Sequence, residues 1–232
     1  MVAGSDRWGQ TPPVGFGHLV RNKSAPIAAD CRLAAAASPT VADVPRKPRI
    51  EVPGGFFHVT ARGVNRETIF ATNRERRLHR VLLSYSVRTF GWVCVAFCQM
   101  GNHFHLVLMT PEPTLAAGMQ FLNGTYAQYV NEFRDRNGHL FGGRYWSTLI
   151  ETDEHLLETS RYVVLNPLRG GLCARPEDWR WSSFAATAGF VRAPSFLAVQ
   201  TQLALFSTRR DAAQLAYRLF VADGLRRDAQ CD

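Results

Sequence analysis

The stretch from Trp92 to Met109, WVCVAFCQMGNHFHLVLM, decides how the rest of the chain folds. Residues 92–100 are apolar and β-rich enough for a strand, and so are residues 103–109. Gly101-Asn102 between them supplies a tight connection. The two runs therefore form a hairpin, which needs further elements to cover it.

Those elements lie on both sides. Upstream, Phe56 to Gly63 (FFHVTARG) alternates apolar and polar residues and reads as another strand. Thr72 with Glu75 three positions on makes a capping box. It opens a helix with the stripe Leu78, Leu82, Tyr85 and Phe90, which Gly91 stops. Downstream, Thr114 caps a second helix to about Phe133, with Leu115, Met119, Leu122, Tyr126, Val130 and Phe133 on one side. Gly118 and Gly124 each weaken it by about 1 kcal/mol relative to Ala, which points to close packing against a neighbour. Asn137-Gly138 ends that segment, and Tyr145 to Glu151 reads as a fourth strand. A third helix begins at Asp153 and is predicted to stop by Asn166, because Pro167 disfavours helical geometry in its predecessor. The order predicts an α+β sandwich of one antiparallel sheet and one helical layer. Residues 196–225 add helical periodicity, a C-terminal helical extension.

The chain has 232 residues and is 46% hydrophobic, enough for a globular core and against wholesale disorder. No apolar run approaches the ~18 residues of a membrane span, so an integral membrane protein is excluded. The net charge of +8 favours a polyanionic partner. Lys23 and Lys47 are the only lysines among 27 basic residues. That arginine bias suits bidentate phosphate contacts, and genome composition produces it equally well. Five cysteines stand at scattered positions, 31, 94, 98, 173 and 231. They read as free thiols in a reducing cytoplasm, not a disulfide framework. Cys94 and Cys98 are predicted on one face of their strand, unlike the turn-borne pairs of structural zinc sites.

Residues 1–47 are rich in Ala, Pro, Gly and Ser and lack a sustained period, so they read as a disordered extension. Arg21 to Ala37 faintly mimics a signal peptide, but Asp30 and Arg32 interrupt its apolar part. The expected division is an extension at 1–47, a catalytic domain at 48–190 and a helical tail at 191–232.

Two constellations carry chemistry. His103 and His105, two apart on a strand, point to the same face with Phe104 opposite. They can converge on one cation, although such pairs also arise by chance. Tyr162 and Asn166 lie at i and i+4 on the third helix and share a face with His155 and Glu158. They fit a site, and equally an amphipathic boundary and a helix end.

Taken together, MGNHFHLVL, GHLFGGRY, RYVVLNPLRGGL and PEDWRWSSF, in that order between about Pro53 and Gly189, resemble the single-tyrosine HUH transposases. The likeness is greatest to the REP-associated tyrosine transposases. It implies a ferredoxin-like core. It further implies that His103 and His105 are metal ligands, Asn166 the third, and Tyr162 the nucleophile. The implied activity is nicking and strand transfer of single-stranded or hairpin DNA through a 5′-phosphotyrosine. The implied cofactor is a divalent ion, magnesium in cells with manganese as a substitute. Gly101 replaces the family's usual proline, which is predicted to loosen the turn before His103. Gly142 and Gly170 also depart from the common pattern, and residues 1–47 match none of it.

Around this site Arg144, Arg161, Arg169 and Arg175 are candidate DNA-backbone contacts, or solvated surface. Tyr145 is either an ordinary strand aromatic or a second phosphate neighbour. Trp179 and Trp181 flank Arg180 as a base-stacking platform or as core anchors. The resulting reading is a cytoplasmic bacterial enzyme, nucleoid-associated when bound to DNA, working as a monomer or homodimer. The alternative is a domesticated binder of structured DNA that does not cut it. A two-histidine oxygenase would need a facial carboxylate and a barrel pattern, and neither is apparent.

Overall fold

Thr72 and Glu75 close the capping box at the start of α1 (Asn73–Thr89). The Glu75 N–H donates to the Thr72 hydroxyl at 3.3 Å, and the Thr72 N–H donates to the Glu75 carboxylate at 2.9 Å. Phe90 is the C-cap, and Gly91 leaves the helix with φ +66°. Only a residue without Cβ adopts that angle cheaply. The computed structural model describes residues 51–228. The extension predicted at 1–47 lies outside them.

The core follows the order β1 (Gly55–Arg62), α1, β2 (Val93–Gln99), β3 (His103–Thr110), α2 (Leu115–Phe133), β4 (Trp146–Ile150) and α3 (Asp153–Arg169). The strands form one antiparallel sheet in the order β2-β3-β1-β4, the ferredoxin-like arrangement. Short helices α4 (Phe184–Thr187) and α5 (Val199–Leu203) lead to α6 (Arg210–Asp228). Ala213, Tyr217 and Val221 of α6 are buried in the principal core, so this segment is part of the domain's packing. Among the described residues no helix is long and apolar enough to cross a membrane.

The two faces of the sheet are covered differently. Phe57, Val59 and Ala61 of β1 and Phe104, Leu106 and Leu108 of β3 pack against Leu82 and Leu83 of α1 and Leu122 and Tyr126 of α2. Leu156 and Val163 of α3 pack on the opposite face, against Val95, Cys98 and Val107. The expected single helical layer is thus corrected to helices on both faces.

Four local expectations also change. The buried stripe of α1 runs through His79, Leu82, Leu83, Ser86 and Val87, while Tyr85 is exposed. Leu78, Leu82 and Phe90 of the expected stripe do pack on the core, and the polar His79, bonded to the Gln99 side chain at 2.9 Å, joins them. The Thr114 hydroxyl does not cap α2; it accepts a hydrogen bond from Trp92 Nε1 at 3.0 Å. Glu51 supplies the terminal acceptor instead, taking the Ala116 N–H at 2.6 Å. A bulge between Cys94 and Ala96 separates Cys94 and Cys98 into different packing clusters, where burial pushes both thiols up. Finally, α3 runs through Pro167 to Arg169. Val163, Val164 and Leu165 are fully buried there, and that packing outweighs the local preference against helix before proline.

Candidate active site

The α3-facing side of β1 and β3 gathers polar residues from alternate positions. The register sets Arg62 opposite His103, Thr60 opposite His105 and His58 opposite Val107. His103 and His105 accordingly lie side by side, their rings 4.9 Å apart between centroids. Phe104 between them is fully buried on the other face.

Each imidazole is held through its Nδ1. His103 Nδ1 lies 2.7 Å from Asn102 Oδ1, and the Asn102 amide in turn donates to the Arg66 carbonyl at 3.0 Å. His105 Nδ1 lies 3.0 Å from His58 Nε2 and 3.1 Å from the Thr60 hydroxyl. Such partners fix the orientation of each ring. His105 Nε2 is buried and has no hydrogen-bond partner. The Asn166 side chain approaches His103 and favours its protonated form. Two imidazoles and one amide therefore converge.

Electrostatics keeps these rings neutral. Burial lowers the His105 pKa to about 3, reinforced by His58, His103 and Arg62. Burial also lowers His103, with Arg62 adding to it and Asn166 opposing it. His58 is lowered by burial and by His155. A neutral imidazole is the form that ligates a cation. Among the described residues no three His, Cys, Asp or Glu side chains cluster in a way that could hold a metal. A cation here would rest on His103, His105 and Asn166, with oxygens from a substrate completing its shell. That donor set and the orphaned His105 Nε2 fit a divalent ion.

The Gly101-Asn102 turn is not loose. The Gly101 carbonyl accepts from the Ile69 and Phe70 N–H groups at 3.0 and 2.9 Å, and Gly63 N–H donates to the Asn102 carbonyl at 2.8 Å. Those bonds substitute for the stiffness a proline would bring.

Tyr162 stands over the histidines. Its ring is 5.6 Å from that of His105 and 6.0 Å from that of His58, both edge-on, and it is 42% exposed. A phenol reaching solvent beside neutral imidazoles is open to a substrate. A cavity of about 470 Å³ adjoins it, lined by His58, Glu158, Thr159, Arg161, Tyr162 and Arg169.

The four arginines separate. Arg169 lies 5.5 Å from the Tyr162 ring centroid, on the rim of the cavity. Arg144 is exposed on the approach to β4. Arg175 is exposed on the loop after α3 and paired with Asp178 at 3.1 Å. Arg161 departs from the expected DNA contact. It is only 6% exposed, is bonded to Glu158 and to the Phe220 carbonyl, and lies over the Phe220 ring at 4.4 Å. Its guanidinium joins α3 to α6. Tyr145 is buried, Trp181 is buried, and Trp179 donates its indole N–H to the Gln99 carbonyl, so both tryptophans act as anchors.

Sequence reasoning missed His58, Thr60 and Asn102. His58 and Thr60 carried one legible signal, two polar residues at i and i+2 of a strand. Only the pairing of β1 with β3 aims them at His105.

Residues 52–166 match the family described as Transposase IS200 like. A Haemophilus influenzae protein provisionally named a REP-associated tyrosine transposase is 27% identical over 101 residues, covering 39% of this chain. The chain spans 57% of that relative's length. A solved REP-associated tyrosine transposase bound to a REP hairpin shares the fold, with a TM-score of 0.56 at 17% identity. That likeness covers 66% of this chain and 90% of the other. Over residues 52–166, with the sheet order and motif order in agreement, the chain matches the IS200-like transposase family.

Proposed function

We propose that the protein nicks and rejoins single-stranded or hairpin DNA, of the palindromic-repeat kind, through a 5′-phosphotyrosine on Tyr162. The observation that carries this reading is the meeting of an exposed Tyr162 with His103, His105 and Asn166 on one face of the sheet. A pure binder has no need of that combination. In the reaction, Tyr162 Oη forms a bond to the scissile phosphorus as the bond to the 3′ oxygen breaks. The phenol's proton passes to water, and the departing oxygen takes one up as a 3′ hydroxyl. The phosphotyrosine conserves the phosphodiester's energy, so a second 3′ hydroxyl can reverse the step and join a new strand.

His103, His105 and Asn166 would hold a divalent ion, magnesium in cells or manganese in its place. The ion would supply charge stabilisation at the phosphate as displacement proceeds. His58, Thr60 and Asn102 keep the two imidazoles oriented, and burial keeps them neutral and ready to ligate. Arg169 and Arg144, with the net charge of +8, would hold the phosphate backbone. The family match and a related fold solved on a hairpin support the substrate class.

The test is incubation with a labelled hairpin carrying single-stranded flanks, with magnesium or manganese, followed by denaturing electrophoresis. A covalent adduct mapping to Tyr162 is expected. Binding without adduct under either ion would favour the non-cutting binder, and label on another tyrosine would reassign the nucleophile.

A further inference from the structure

Trp146 is the most exposed large hydrophobic residue among those described, at 73%. It starts β4, where its Cα partner on β1 is Thr60. Directly paired residues project to the same face of a sheet. Thr60 hydrogen-bonds His105, so Trp146 stands on the face that carries the two histidines, beside Thr60. Two strand spacings separate it from His105, roughly 10 Å. Its indole N–H donates to the Thr148 hydroxyl at 3.2 Å. That bond holds the ring along the strand edge and keeps its face open to solvent. The neighbouring end of the same face carries the exposed Arg62, opposite His103.

An exposed indole costs hydration free energy and contributes nothing to the core. A restrained aromatic face next to cationic side chains and a phosphodiester site suits a nucleobase, because every base offers a π-face and stacking is sequence-tolerant. We propose that Trp146 is a stacking site for one unpaired base of the single-stranded segment that flanks the phosphate at Tyr162. The proposal rests on the reading of this site as one for single-stranded DNA. Trp179 and Trp181 do not serve this purpose, since one is tied to the Gln99 carbonyl and the other is buried. A paired base, stacked inside a duplex, offers the indole no free face. The site therefore selects unpaired nucleotides.

The experiment measures the affinity of full-length Trp146→Ala, Trp146→Phe and the unaltered protein for three probes. These are a labelled oligothymidylate, a blunt duplex, and a hairpin with a single-stranded flank in which one nucleotide at a time is made abasic. Trp146→Ala should bind the single strand roughly 5- to 100-fold more weakly, with duplex binding unchanged. Trp146→Phe should recover most of the loss. One abasic position should weaken the unaltered protein and leave Trp146→Ala no weaker than before. Equal single-strand affinity for all three proteins would overturn the proposal. So would a Trp146→Ala protein that changes only its sedimentation, which would assign the indole to a contact between copies. Covalent adduct is scored in parallel. Adduct with no effect of Trp146 sinks the stacking site alone, whereas the predicted Trp146 effect without adduct sinks the nicking reading alone.

Discussion

The two faces of the sheet are built from alternate residues of the same strands, yet they do opposite things. On the α1/α2 side, β1 and β3 contribute Phe57, Val59, Ala61, Phe104, Leu106 and Leu108, each under 5% exposed. That face makes no demand for hydrogen bonds and stabilises by area removed from water. On the α3 side the same strands contribute His58, Thr60, His103 and His105: His58 and Thr60 meet His105 Nδ1, Asn102 meets His103 Nδ1, and His105 Nε2 is left without a partner. A period of two lets a pair of strands carry a dry core and a polar, histidine-lined surface without compromise between them. The lesson is that stability and chemistry can be altered separately here, one residue apart.

Substitutions can break or sharpen that contrast. The largest effect is expected from Tyr162→Phe, which should abolish the covalent adduct while costing about 1 kcal/mol of stability or less, because it removes one hydroxyl from a half-open ring. Adduct formation by gel and urea unfolding together check it. Next comes the adjacent pair on β3. Phe104→Ala should lower unfolding stability by roughly 3–5 kcal/mol through a cavity in the core. His105→Ala should lose cleavage yet keep most hairpin affinity, since many phosphates would hold the DNA and the proposed metal site would touch one. Should His105→Ala cleave normally, the two faces would not differ as described.

A smaller loss is expected one layer behind the proposed ligands. His58→Ala or Thr60→Val should weaken divalent-ion affinity about 10- to 100-fold, with cleavage restored by excess manganese. Calorimetric titration with manganese reads the effect without reference to activity. The smallest pair lies in α2, within the dry layer. A Cβ at Gly118 would run into the Trp92 ring, whereas one at Gly124 would meet nothing within 4 Å. Gly118→Ala should therefore destabilise by about 1–3 kcal/mol. Gly124→Ala should stabilise by up to about 1 kcal/mol through helix propensity. Thermal unfolding of both proteins separates the two signs.

Much of the fold was legible because its signals are local. The capping box at Thr72, the stop at Gly91 and the turn at Gly101-Asn102 need only residues a few positions apart. The order of strands and helices then restricts the topology, and the spacing of His103 and His105 places both on one face by strand geometry alone. Gly118 and Gly124 mark the limit of such signals. They look alike in sequence, and only the position of Trp92 tells them apart.

What tertiary structure decided is every feature that depends on a partner distant in the chain. His58 matters because β1 lies beside β3, 47 residues away in sequence from His105. The Cys94 and Cys98 thiols part because a bulge shifts the register, and α3 passes Pro167 because three buried residues before it hold the helix. Arg161 reads as a surface cation until α6 folds over it, and Trp146 reads as an ordinary strand residue until β4 is found at the edge of the sheet with its indole exposed. Local chemistry determines which elements form, since capping, turn geometry and side-chain period act over a few residues. Which side chains meet is set by register and packing, which act between residues the sequence keeps far apart.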